Sequence, residues 1–255
     1  MIERLDFITK KVLEAKNYTS WIKPEIDSLI SMKRVQSYHH DRILVDTYGP
    51  IWIVGFSNIH DGQISIKNSG EWLCLEGSKG FFAPAFSLLQ WSVKKGSYSW
   101  EAYTSHEQIP SSFEGTQAFV FDWDQNLPKS FNNLFALLSL SKNKVFIGEQ
   151  NVSSALALKI KKYLDKNYLN KVTISEVSEE LRCSWGHMSR SFKKTYGISP
   201  VEYRHRLRLF NAILLLSHGN SVIESCFDSG FESLTQFNLH FKKHMGTQPA
   251  KYRSK

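Results

Sequence analysis

Two stretches of this chain repeat one another at an offset of 49 residues, and the repeat restricts the fold more than any other feature. SWGHMSRSFKKTYGISPVEYR, residues 184–204, aligns with SLTQFNLHFKKHMGTQPAKYR, residues 233–253. Eight of 21 positions are identical: Ser184/Ser233, Phe192/Phe241, Lys193/Lys242, Lys194/Lys243, Gly197/Gly246, Pro200/Pro249, Tyr203/Tyr252 and Arg204/Arg253. Two copies are too few for a solenoid, whose units bury their faces on several neighbours. The pattern predicts a bilobed domain of two similar units.

Each unit carries its own punctuation. Thr173-x-x-Glu176 and Ser221-x-x-Glu224 both spell capping boxes, aligned at an offset of 48. Each opens a short helix. Ile174, Val177 and Leu181 form the buried stripe of the first, and the small residues Ser178 and Cys226 leave room for a crossing helix. A longer helix follows in each unit. It is capped by Ser184 or Ser233, buries Met188 and Phe192 or Phe237 and Phe241, and ends at Gly197 or Gly246. Between the units, Ser199-Pro200-Val201-Glu202 opens a helix to about Ser217, stopped by Gly219. Its apolar stripes, Tyr203, Leu207, Phe210, Leu214 and Leu209, Ala212, Ile213, Leu216, predict burial on two sides, as a rigid spacer between lobes. A short helix, a tight turn and a longer helix describe a helix-turn-helix, placed here at about residues 173–197 and 221–246.

Charge separates this region from the rest. Residues 151–255 hold 17 Lys and Arg against 8 Asp and Glu, whereas residues 1–150 hold 15 against 16. The asymmetry implies a basic module that meets a polyanion, joined to a neutral module with another role. The expected division is a neutral module at 1–150 and a basic module at 151–255, with Lys142–Ser154 as linker. Residues 40–125 carry short Trp-, Phe-, Tyr-, Val- and Ile-rich runs broken by turn signals such as Asp61-Gly62 and Lys95-Gly96-Ser97. That spacing predicts a β-sandwich or small barrel. Leu5, Ile8, Val12 and Ala15 predict a helix before it, and Phe131, Leu134, Phe135 and Leu138 a helix after it. The second stripe suits either packing on the barrel or a homodimer seam.

Other chemistries find little support. Cys74, Cys183 and Cys226 are odd in number and lie outside any CxxC spacing, which argues against disulfides and structural zinc and for a reducing, cytoplasmic setting. No apolar run reaches the length of a membrane span, and the first residues lack the apolar core of a signal peptide. His39 and His40 are adjacent and His60 and His106 isolated, so no metal is expected. Asp122-Trp123-Asp124 would put two carboxylates on one strand face, but reads better as a solvated turn edge. Trp52, Trp72, Trp91 and Trp100 read mainly as core, with a small-molecule pocket as the alternative. Walker A, GxSxG, HExxH and GxGxxG motifs are missing, so neither enzymatic activity nor a cofactor is expected.

The repeat resembles the AraC/XylS family of bacterial transcription activators over about Ala155–Arg253. Gly230-Phe231, Phe237-x-x-x-Phe241-Lys242-Lys243, Gly246, Pro249 and Tyr252-Arg253 carry the likeness. So do Ser184, Arg190, Phe192-Lys193-Lys194, Gly197, Ser199-Pro200, Tyr203 and Arg208. The resemblance implies an α+β chain: a small cupin-like β-barrel with flanking helices at 1–150, as a regulatory, effector or dimerisation domain, then an all-α bilobed DNA-binding domain at 151–255 of two helix-turn-helix units joined by a linker helix. It implies a sequence-specific activator whose two recognition helices enter major grooves about 34 Å apart. Carried over, the base-contacting residues are Trp185, Gly186, Ser189 and Arg190 in the first unit. In the second they are Leu234, Thr235, Gln236, Asn238 and Leu239. Lys193, Lys194, Lys242 and Lys243 grip phosphates. Arg190 is the strongest base-reader, and the repeat replaces it by Leu239. Ser225 and Ser229 stand where the family has aliphatic residues, which implies a less stable second lobe. Implied partners are double-stranded DNA, RNA polymerase, a small-molecule effector and a second subunit through Phe131, Leu134, Phe135 and Leu138. The competing reading is a DNA-targeted enzyme or sensor, such as a methyl-acceptor repair protein, which needs a reactive cysteine; Cys74 sits in a strand-like run.

Overall fold

The computed structural model describes residues 10–15, 18–22, 29–68, 70–105, 107–147 and 154–252. The chain divides into two compact units, one built on a sheet and one on helices.

Among the described residues the sheet has ten strands: β1 (Lys10–Ala15), β2 (Tyr18–Ile22), β3 (Ile30–Tyr38), β4 (Arg42–Thr47), β5 (Ile53–Asn68), β6 (Glu71–Ala83), β7 (Leu88–Val93), β8 (Gly96–Thr104), β9 (Ala118–Asp122) and β10 (Lys142–Ile147). They run in the order β1-β2-β3-β8-β5-β6-β9-β10, with β7 pairing both β5 and β4. The pairings along that path are antiparallel. Alternation on β5 and β6 sends Trp52, Val54, Phe56 and Phe82 to one side. There they meet Tyr103, Phe119 and Phe121. Helix α1 (Phe131–Leu140) closes this core with Leu134, Phe135 and Leu138. Aromatic packing is edge-on, as ring quadrupoles favour: Trp52 meets Phe135 at 5.2 Å and Phe56 meets Phe121 at 6.1 Å. Gly80 faces Phe121 across the β6–β9 pair, and a Cβ there would stand 2.2 Å from the ring, so only glycine lets that aromatic lie on the strand.

Several local expectations change here. Lys10–Ala15 is a strand paired with Tyr18–Ile22, not a helix; Leu5 and Ile8 lie outside the described residues. Asp61-Gly62 makes a register shift inside β5 instead of a turn, with Gly62 at φ 69°. Half of the expected linker is β10, because Val145 and Phe146 pair with β9; 148–153 lie outside the described residues. Leu134, Phe135 and Leu138 of the helical stripe are buried in the sheet core and Phe131 packs partly against it, which removes the three buried side chains from a dimer seam. Trp52 and Trp91 are core, Trp100 is half-buried and Trp72 is exposed. Asp122 ends β9 and pairs with Lys79, while Asp124 sits in the following turn bonded to Asn126, so the two carboxylates do not share a strand face.

The helical unit contains α2 (Ala155–Asn167), α3 (Ile174–Glu180), α4 (Trp185–Tyr196), α5 (Pro200–Ser217), α6 (Val222–Asp228) and α7 (Leu234–Met245). Helix α5 buries Tyr203, Leu207, Leu209, Ala212 and Leu216, with Phe210, Ile213 and Leu214 half-buried. Its arginines also fix the chain entering α3. Buried Arg208 donates to the carbonyls of Tyr168 at 2.5 Å and Asn170 at 2.8 Å, and Arg204 donates to Val172 at 2.7 Å. These bonds tie the segment between α2 and α3 to α5.

Candidate nucleic-acid interface

Both short helices are held at their first turn by a completed capping box. The Thr173 amide donates to Glu176 Oε2 at 2.6 Å, and the Glu176 amide donates to Thr173 Oγ1 at 3.2 Å. The Ser221 and Glu224 pair repeats this at 2.8 and 3.1 Å. Val177 is buried and Leu181 half-buried as expected; the Ile174 side chain lies outside the description. The turns into the long helices use a left-handed residue at matching positions, Arg182 (φ 48°) and Gly230 (φ 81°). Gly230 has a second reason: a Cβ there would stand 2.5 Å from the Leu169 carbonyl oxygen.

The long helices bury one face and present the other. Met188, Phe192 and Tyr196 of α4 are buried, as are Phe237 and Phe241 of α7. Both helices end at a left-handed glycine, Gly197 and Gly246. Ser233 caps α7 through the Gln236 amide at 3.4 Å, whereas Ser184 holds the cap position of α4 without a side-chain hydrogen bond.

On α4, Gly186, Arg190, Lys193 and Lys194 are exposed, and the first three recur at i, i+4 and i+7 along one face. The Arg190 guanidinium lies back over Gly186, where a Cβ would meet Nη1 at 3.4 Å. Ser189 is half-buried. Trp185 is also half-buried and lines a shallow cleft with Val172, Val177 and Pro200, so part of its ring serves packing. On α7, Thr235, Gln236, Leu239, Lys242 and Lys243 are exposed, while Leu234 and Asn238 are half-buried. Leu239 is 68% exposed, an apolar side chain standing in solvent where the repeat has Arg190. Lys243 lies 4.0 Å from Glu202, which holds part of its charge toward α5.

Sequence reasoning passed over two exposed cations or potential cations beside this face, Arg182 and His187. Arg182 was legible through the repeat, because it stands at an offset of 48 from Gly230, at a position that favours glycine. His187 had no comparable signal.

The residues weighed for other chemistry stay apart. No group of three or more His, Cys, Asp or Glu able to hold a metal occurs among the described residues. His39 and His40 are exposed in the bend after β3, His60 is exposed on β5, and His106 lies outside the description. Cys74 is exposed on β6. No helix among the described residues is long and apolar enough to cross a membrane.

With this geometry in view, the comparisons with known proteins are specific. A model of the helix-turn-helix domain family matches residues 177–255. The HTH-type transcriptional regulator YisR of Bacillus subtilis is 25% identical over 195 residues, which are 76% of this chain and 66% of YisR. The HTH-type transcriptional regulator YdiP of Escherichia coli is 33% identical over 92 residues, 36% of this chain and 30% of YdiP. The chain thus spans under two thirds of the length of these relatives. Among solved structures, ToxT from Vibrio cholerae superposes with a TM-score of 0.53 at 14% identity, covering 88% of this chain and 97% of ToxT. That likeness is one of fold, a cupin-like sheet unit followed by a helical unit, and it agrees with the α+β class read from the sequence.

Proposed function

We propose that this chain is a sequence-specific DNA-binding transcription regulator that acts as an activator, with α4 and α7 entering successive major grooves. The observation that carries the reading is the duplicated helix pair. Two capped units, alike in sequence and backbone, each bury one face of a long helix and expose the face bearing Arg190, Lys193 and Lys194, or Gln236, Lys242 and Lys243. In this reading Gly186, Ser189 and Arg190 meet base edges in one groove, with Trp185 contributing its exposed part. Leu234, Thr235, Gln236, Asn238 and Leu239 meet bases in the other. Lys193, Lys194, Lys242 and Lys243 grip phosphates, where each neutralised phosphate releases counterions and makes binding salt-dependent.

The division of labour follows the same proposal. Residues 151–255 hold the DNA-binding function, and residues 1–150 the regulatory one, by effector binding or subunit contact. Activation itself runs through RNA polymerase. The resemblance supports these assignments, and the excess of cations in 151–255 supports the first. A gel-shift titration of the full-length protein on duplex DNA tests the core of the proposal. Affinity that falls steeply with salt, together with an enriched sequence after in vitro selection, is the expected result. Binding that is absent, or indifferent to sequence, contradicts it. A reporter downstream of the selected site then reads the sign of regulation, with increased transcription expected.

A further inference from the structure

Helices α3 and α6 match residue for residue at an offset of 48, have seven residues each and share the same capping box. The first therefore shows what a short helix in this fold needs. Its outward residues Ser175 and Glu179 are exposed and polar, and the serine hydroxyl donates to the carboxylate at 3.3 Å. The matching residues of α6 are Ile223 and Phe227, 57% and 53% exposed, one turn apart on one face. Inward the exchange is reversed. Buried Val177 of α3 is matched by Ser225 of α6, fully buried with no hydrogen-bond partner for its hydroxyl. Helix α6 is thus turned inside out relative to its own repeat. Single exposed apolar residues are ordinary. An apolar pair where the duplicate keeps a polar pair is not explained by packing of the lobe.

Charge narrows what covers this face. Beside the apolar pair stand Glu224 and Asp228, both exposed and also one turn apart. Helix α6 carries no Lys or Arg, within a region that holds 17 of them. Carboxylates beside an apolar pair repel DNA phosphates and anionic lipid. They suit an amphipathic helix that brings apolar anchors flanked by Lys or Arg. We propose that the Ile223–Phe227 face of α6 docks a protein partner through a basic amphipathic helix, leaving α7 of the same lobe to DNA.

The test uses the 255-residue chain and the double variant Ile223→Ser with Phe227→Gln, which removes the apolar pair without adding a carboxylate that would itself attract Lys. The probe is a fluorescent peptide of Leu and Lys at helical spacing, with a Leu/Glu peptide as control; binding is read by anisotropy and duplex DNA affinity by gel shift. The wild type should bind the Leu/Lys peptide at least about tenfold more tightly than the variant does. It should ignore the Leu/Glu peptide, and DNA affinity should match within about twofold. A milder pair, Ile223→Thr with Phe227→Gln, carries the same comparison if the first variant loses its thermal transition. Equal peptide binding by wild type and variant overturns the proposal. So does a selective loss of DNA affinity in the variant, which would assign the face to DNA. A wild-type dimer in sedimentation that the variant abolishes assigns the face to a second copy and likewise overturns it. If the wild type binds no DNA, the regulator reading fails, while the peptide comparison still decides the face.

Discussion

Arg190 and Lys242 show how two exposed cations on comparable helices differ in what they are able to read. A guanidinium fork makes two directed hydrogen bonds to guanine O6 and N7, whereas an ammonium is a compact charge suited to phosphate. Arg190→Ala should cost about 1–3 kcal/mol on the cognate site and relax discrimination there. Lys242→Ala should weaken cognate and random DNA alike and lower the salt slope by about one. Competition gel shifts at several salt concentrations separate the two; equal losses on cognate and random DNA for Arg190→Ala would remove it as a base-reader. Ser225 offers a stability test at the same scale. Its hydroxyl is buried without a partner, a state that costs about 1–3 kcal/mol, and the repeat fills the matching site with Val177. Ser225→Val should therefore raise Tm. An unchanged or lower Tm would mean that the site does not accept the repeat's packing.

Elements differ in how far their own residues announce them. Helices α3 to α7 of the second unit were legible because their signals are local: capping boxes at Thr173 and Ser221, Pro200 at a first turn, glycines at 197 and 246. The strands that sequence reasoning missed are decided by a pairing partner and not by their own apolar spacing. Lys10–Ala15 has apolar spacing that also suits a helix, and pairing with β2 decides the matter; Lys142–Ile147 is a strand because β9 offers an edge. The exposed face of α4 was legible from helical periodicity, but the partial burial of Trp185 was not, because it depends on Val172 and Pro200 from neighbouring segments.

The packing of α7 on α5 makes a prediction about pH. The His205 ring lies 4.2 Å from His240 and stacks on Phe231. Burial, with His240, Arg204 and Arg208 adding to it against the opposing Glu202, lowers the His205 pKa to about 4 from 6.5. The folded state therefore holds His205 neutral where the unfolded chain would protonate it. Its contribution is complete above about 6.5 and is lost as pH falls toward about 4. Thermal unfolding should show Tm dropping across that window, with the drop reduced in His205→Phe. An identical pH profile in the variant would assign the acid sensitivity to other groups.

At the scale of the whole molecule, the central claim is that two copies of one helix pair meet DNA with unequal acuity. Both copies retain the paired lysines, so in the proposed complex their grip on phosphate would be comparable, although Glu202 draws on Lys243 in the second. Only the first has an arginine on its exposed face; the second presents Leu239, which in the proposed complex would touch a thymine methyl but make no hydrogen bond. In vitro selection of binding sites with the full-length protein, alongside Leu239→Arg, measures this directly. One well-defined half-site and one degenerate half-site are expected for the wild type, with the degenerate half sharpened in the variant. Two equally sharp half-sites for the wild type would contradict the central claim, because Gln236 and Asn238 would then suffice without an arginine.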